Sequence, residues 1–209
     1  MQLKDIKRLY RLYMNGVVAQ SMRQKGASYR VNFGLTLPLL QRIAGQVTPS
    51  IEIAEELWHD TGVRESMLLA PMLYPVEECT LDVARRWIVE MPNVEVADFC
   101  CKYLFSKLPD APKLAIEAVA HTRDVEVYVG YRLGYSLLTD DADACWVCEM
   151  TDRAILLASQ NTLPAIAAQR FISEALMLPT VGALVVERLR CAEGIDEAWR
   201  NNLIELYEP

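Results

Sequence analysis

Apolar residues recur at helical spacing along most of the chain. Leu3, Ile6, Leu9, Tyr10 and Tyr13 repeat every three or four positions with basic residues between them. That pattern turns one face of a helix to a core and the other to water. Pro38 opens Pro-Leu-Leu-Gln-Arg-Ile-Ala, where a proline at the start of a helix forfeits no hydrogen bond. Ser50 precedes Ile-Glu-Ile-Ala-Glu-Glu-Leu-Trp, Thr80 precedes Leu-Asp-Val-Ala-Arg-Arg-Trp-Ile, and Asp196 precedes Glu-Ala-Trp-Arg-Asn-Asn-Leu-Ile. Each is a capping side chain followed by acids in the first turn. Pro92, Pro109, Pro112, Pro164 and Pro179 punctuate the rest at helix-length intervals. The spacing predicts about eleven or twelve helices of roughly 8–18 residues, and no strand. Val125-Glu-Val-Tyr-Val alternates at period two, but its continuation, Gly130-Tyr-Arg-Leu-Gly-Tyr-Ser-Leu-Leu, returns to helical spacing, which predicts a helix there.

A weak internal repeat runs through the second half. A shift of 38 residues sets Val125 on Leu163, Val127 on Ala165, Val129 on Ala167, Arg132 on Arg170, Leu133 on Phe171, Leu137 on Ala175 and Leu138 on Leu176. That period suits stacked two-helix repeats, in which no pair closes a core alone. A globular helix bundle is the alternative.

Charge changes the picture of partners. The chain has 209 residues and a formal net charge of −7, which by itself disfavours nucleic acid. The distribution is lopsided. Residues 1–50 hold Lys4, Lys7, Arg8, Arg11, Arg23, Lys25, Arg30 and Arg42 against the single acid Asp5, so that end carries +7 and the remainder −14. An asymmetric charge of this kind is a better guide to a polyanionic partner than the sum. A solvated basic helix face reads equally well.

The longest nearly uninterrupted apolar stretch, Met67 to Val76, spans ten residues and carries two prolines. A membrane helix needs about 18, so none is expected. The first residues turn charged at once, and the sequence reads as a cytoplasmic protein without a leader. Cys145-Trp-Val-Cys148 is a CxxC within a helical stretch and has no strand before it. A zinc site needs four ligands, and no second CxxC or paired histidine exists, so no metal is expected. The six cysteines read mainly as small apolar core residues.

Three segments carry a resemblance. Tyr29-Arg-Val-Asn-Phe-Gly-Leu-Thr-Leu-Pro-Leu-Leu-Gln-Arg-Ile-Ala, then Ile53-Ala-Glu-Glu-Leu-Trp, then Glu65-Ser-Met-Leu-Leu-Ala are similar to the DNA alkylation repair enzyme family. The resemblance runs from about residue 10 to about 190 and is firmest over 29–108. It implies an all-α, right-handed superhelical solenoid of about six HEAT-like helix pairs, formed as one domain over residues 1–209. It also implies removal of cationic alkylated purines from duplex DNA, with no cofactor.

The family motif Asn-Trp-Asp-Leu-Val-Asp, whose last Asp is catalytic, is matched by Asn93-Val94-Glu95-Val96-Ala97-Asp98. The acid is retained at Asp98, and the cleft tryptophan is replaced by Val94. A second cleft tryptophan corresponds to Glu174 in Gln169-Arg-Phe-Ile-Ser-Glu-Ala-Leu. The family's backbone-holding arginine corresponds to Arg132.

A fixed carboxylate can stabilise the positive sugar that forms as an N-glycosidic bond breaks. Asp98 fits that role, and an ordinary surface pair with Lys102 one turn on is the plain alternative. Tyr128, Tyr131 and Tyr135 share one helix face beside Arg132. They form either a stacking platform for bases or a helix–helix seam. Phosphate contacts are expected from Arg23, Lys25, Arg30, Lys102 and Arg132. Cleft walls are expected from Val94, Tyr128, Tyr131 and Glu174. The competing reading is a non-catalytic helical-repeat scaffold that binds protein or DNA on its concave face.

Overall fold

The computed structural model describes residues 2–157 and 160–207. Among them are thirteen α-helices and two short 3₁₀ turns. There is no strand, only an isolated parallel bridge between Val31 and Val63. The chain clusters into two compact units, residues 1–80 and 81–209. Among the described residues no helix is long and apolar enough to cross a membrane.

The first unit holds α1 (Leu3–Leu12), α2 (Gly16–Gln24), α3 (Leu37–Ala44), α4 (Ile51–Trp58) and α5 (Arg64–Leu73). Ser50 caps α4 as its position predicts, its hydroxyl accepting from the Ile53 amide at 3.3 Å. The helix count exceeds the sequence expectation. α2, which no sequence signal singled out, buries only Ala19, so its apolar pattern is faint.

The segment between α2 and α3 is held by a charged group inside the core. Glu65 is fully buried, and its carboxylate accepts from the backbone amides of Phe33 at 3.1 and 3.2 Å and Leu35 at 3.3 Å. Arg64 donates to the same carboxylate at 3.3 Å and to the Leu35 carbonyl at 3.1 Å. Gly34 sits between them at a φ of +71°, with its backbone pressed against Asn15 and Ala19. A Cβ there would collide with the Asn15 carbonyl and the Ala19 amide.

The second unit is a two-layer stack of four helix pairs. These are α6 (Leu81–Glu90) with α7 (Val94–Tyr103), α8 (Ala111–Val119) with α9 (Asp124–Leu137), α10 (Ala144–Leu157) with α11 (Leu163–Leu176), and α12 (Gly182–Cys191) with α13 (Glu197–Tyr207). α6, α8, α10 and α12 touch in succession to form one layer, and α7, α9 and α11 form the other. α9 and α11 are the same length, and α11 starts 39 residues after α9, so the internal repeat marks successive inner helices. Asn93 caps α7 and Thr162 caps α11. Asp143 and Asp196 accept from the Trp146 and Trp199 amides, both at 2.7 Å. Gly130 lets α9 press onto α8, where a Cβ would strike Val119 and the Ala115 carbonyl.

The cysteine expectation holds only in part. Cys79, Cys100 and Cys101 are buried, but Cys145 and Cys191 are exposed and Cys148 is half-buried. They lie near the first turn of α10 and at the end of α12, on surfaces those helices turn to solvent.

Candidate nucleic-acid interface

Asp98 is the fifth residue of α7. Its neighbours Val96, Ala97, Cys100 and Cys101 fill the core, which leaves its own side chain 44% exposed. On α9, Tyr128 and Arg132 are one helical turn apart, so both reach the same point. The Tyr128 hydroxyl donates to Asp98 Oδ1 at 2.9 Å, and Arg132 Nε donates to the same oxygen at 2.8 Å. Among the described residues nothing donates to Oδ2. Arg132 also donates through Nη1 to the Ser136 hydroxyl at 2.8 Å, which fixes the guanidinium plane.

The electrostatics follow from burial and from this carboxylate. Burial first, and then the charge of Asp98, push the Tyr128 hydroxyl above the ordinary tyrosine range, so it stays protonated and remains a donor. The buried Cys101 thiol is pushed up to about 12 by burial, against the opposing pull of Arg132. It is therefore an inert thiol.

Beside this cluster lies a cavity of about 330 Å³ between α9 and α11, lined by Tyr128, Tyr131, Arg132, Tyr135, Ile166, Ala167 and Arg170. Two guanidinium groups approach one ring there. Arg132 Cζ lies 5.6 Å and Arg170 Cζ 5.3 Å from the Tyr135 centroid. Such contacts are attractive, but they place two like charges together. Arg132 is matched by Asp98, and among the described residues Arg170 has no carboxylate partner. Tyr131 is fully buried and packs against Phe171 with centroids 6.3 Å apart. Its hydroxyl has no hydrogen-bond partner among the described residues.

The site residues named from sequence separate into groups. Asp98, Arg132, Tyr128 and Tyr131 come together. All three tyrosines line the cavity, and Tyr131 is also buried in the helix seam against Phe171. Lys102 lies one turn beyond Asp98, but its Nζ sits 5.5 Å over the Tyr103 ring, and the ion pair of Asp98 is made with Arg132. Val94 is half-buried at the start of α7 and Glu174 is exposed one turn past Arg170; neither lines the cavity. Arg23, Lys25 and Arg30 are all exposed and belong to the first unit.

The sequence does not mark Arg170 or Ile166 as site residues, and it offers Tyr135 only as part of the tyrosine row. The repeat carried the signal for Arg170, since the shift of 38 that aligns the two inner helices sets it on Arg132. Among the described residues no group of three histidine, cysteine or acidic side chains can hold a metal.

The sequence profile of the DNA alkylation repair enzyme family matches residues 7–124, more than half of the chain. The chain belongs to this family. The match covers Asp98 and ends at the start of α9, so the cavity residues of α9 and α11 lie beyond it. The architecture of the whole chain is similar to a solved structure described as "a new family of proteins related to the HEAT-like repeat DNA glycosylases with affinity for branched DNA structures". The TM-score is 0.80 at 15% identity, over 100% of this chain and 94% of the other. That likeness establishes the HEAT-like repeat fold. Comparison with curated proteins gives no significant sequence match.

Proposed function

We propose that this member of the DNA alkylation repair enzyme family binds DNA through the α7–α9–α11 face as a structure-selective binder, with little or no excision of cationic bases. The observation that carries this reading is the Arg132–Tyr135–Arg170 group on an open cavity. Arginines are charged at any physiological pH, and their planar forks suit phosphate oxygens. An arginine without a carboxylate partner, facing a cavity beside a second arginine, attracts an anion. It repels a methylated purine that already carries positive charge. The described affinity of the structural neighbour for branched DNA is the lead for the ligand, and phosphate backbone contacts are its chemistry.

A glycosylase reading has its own support. Asp98 is partly exposed, one oxygen is clamped by two donors, and the other is open. A carboxylate held in that way can face a developing positive sugar. Two features weaken it. Arg132 offsets much of the charge the transition state would use, and the aromatic walls at Val94 and Glu174 are missing. Stacking on an aromatic is worth roughly 1–3 kcal/mol per base, so losing two lowers the rate by orders of magnitude.

The test is a binding titration across salt concentrations, with intact duplex and branched DNA, for wild type and Arg132→Gln/Arg170→Gln. The double variant is expected to weaken binding and flatten the salt slope by up to about two. A base-release assay on methylated duplex accompanies it. An unchanged slope, or base release as fast as that of a tryptophan-bearing family member, overturns the reading.

A further inference from the structure

Three large apolar side chains cluster in the open at the turn between α1 and α2. Leu12 is 71% exposed, Met14 59% and Val17 79%. Scattered exposed apolar residues are ordinary, whereas a cluster within six positions marks a surface that meets something. The backbone beneath them is fixed. The Asn15 amide donates to the Phe33 carbonyl at 2.8 Å, and the Asn15 side chain accepts from the Val18 amide at 3.2 Å to cap α2. The Ala19 amide closes the turn on the Asn15 carbonyl at 3.0 Å, and Gly34 packs directly against both residues. The apolar tips are therefore held out on a rigid support.

The charges around them select the occupant. Arg8, one turn before Leu12, and Arg11 beside it are exposed on α1, and Arg42 Cζ lies 5.6 Å from the ring of Tyr13, between Leu12 and Met14. Asp5 is the one acid in the first 50 residues. An apolar tip flanked by cations fits a polyanion that also offers apolar faces, which is DNA with unstacked bases. Exposed leucine, methionine and similar side chains act as wedges at base steps when flanking cations hold the backbone. A lipid surface fits less well, because α1 has already buried Ile6 and Tyr10 in the core. An interfacial helix needs its whole apolar face for the membrane.

We infer that Leu12, Met14 and Val17 form a wedge that stacks on exposed base pairs at a branch point, while the neighbouring basic groups hold the phosphates on either side. The inference rests on the DNA-binding reading above and names the feature of branched DNA that is recognised. Its role is selectivity: intact duplex offers no open base step, so the wedge contributes little there.

The experiment uses the full chain, a three-way junction and an intact duplex of the same length, with 2-aminopurine at the branch. Wild type is expected to prefer the junction and to change the fluorescence of the branch base. Leu12→Ser/Met14→Gln/Val17→Thr is expected to lose roughly tenfold in junction affinity, since the flanking cations stay and only the apolar contact to the branch bases is removed. Its duplex affinity is expected to move by less than about twofold. Thermal melting checks folding, and the single variants Leu12→Gln and Val17→Gln give the same readout should the triple variant fold poorly. Junction binding and fluorescence unchanged in the variants overturn the wedge and leave the DNA-binding reading standing. No binding of wild type to either DNA overturns that reading as well. Flotation of wild type, but not the variant, with anionic phosphatidylserine vesicles assigns the patch to a membrane and overturns the inference.

Discussion

Arg132 and Asp98, 34 residues apart in sequence, meet in a 2.8 Å ion pair that joins α9 to α7. The pair sets the chemistry available to the acid. It positions Asp98 Oδ1 and leaves Oδ2 open among the described residues, while it holds a positive charge beside the carboxylate.

Asp98→Asn separates the two roles of this group. The change keeps the shape and removes the charge that a glycosidic transition state would need. Any base release from methylated duplex is expected to vanish. DNA affinity is expected to hold or rise, because one phosphate-repelling charge is gone and Arg132 is freed. Equal release by wild type and Asp98→Asn removes Asp98 from any catalytic role, and a large loss of DNA affinity shows that the ion pair mainly supports the fold.

Tyr131 gives a stability prediction with a defined sign. Its buried hydroxyl lacks a partner among the described residues, so Tyr131→Phe removes a desolvation cost of about 1 kcal/mol. For a chain of this size that is a rise of roughly 2–4 °C in Tm. The hydroxyls of Tyr10, Tyr128 and Tyr131 are pushed up chiefly by burial, and the Cys101 thiol goes from 9.0 to about 12. As pH rises, the unfolded chain therefore loses these protons before the folded one does. Stability is full below about pH 9 and declines above it. Melting curves from pH 7 to 11 are expected to show that decline, shallower in Tyr131→Phe and in Cys101→Ala. A flat profile in wild type contradicts the burial of these groups.

Much of this architecture is legible in the sequence, because caps and periodicity act locally. Ser50 and Asp196 take up the capping roles that neighbouring residues alone decide. The stretch 125–138 declares itself a helix once its continuation is followed. α2 escaped because its one buried residue, Ala19, leaves no apolar stripe. The site was legible only in pieces. Asp98 and Arg132 could be named from a motif, but their pairing depends on how two helices cross. Arg170 faces the cavity only because α9 and α11 are neighbours in the inner layer. Glu174 and Val94 occupy wall positions by alignment, yet Glu174 lies a turn beyond Arg170 along α11 and Val94 at the start of α7, so neither lines the cavity.

Glu65 is expected to govern the first unit. It is fully buried, it satisfies the amides of Phe33 and Leu35, and it is the charge partner of Arg64. Glu65→Gln keeps the size but discards the charge, and it turns one acceptor into a donor that faces the same amides. Breaking one side of a buried pair typically costs about 3–5 kcal/mol. Urea unfolding followed by circular dichroism is expected to show an earlier transition for the variant. A midpoint equal to wild type means that the Tyr29–Thr36 segment is held by other contacts.

The basic end offers the last prediction. Arg23, Lys25 and Arg30 are exposed, and none of them carries a structural load visible in the core, so their removal changes charge without threatening the fold. If they meet phosphates, each releases about one counterion on binding. Arg23→Gln/Lys25→Gln/Arg30→Gln is then expected to flatten the salt slope by up to about three units and to weaken binding to all DNA shapes alike. This outcome differs from that of the apolar wedge, which changes preference between shapes, and from that of Arg132 and Arg170, which lie in the second unit. A triple variant with the wild-type slope shows that these three charges only solvate the surface. The phosphate contacts must then come from the remaining cations of residues 1–50 or from the Arg132–Arg170 cavity.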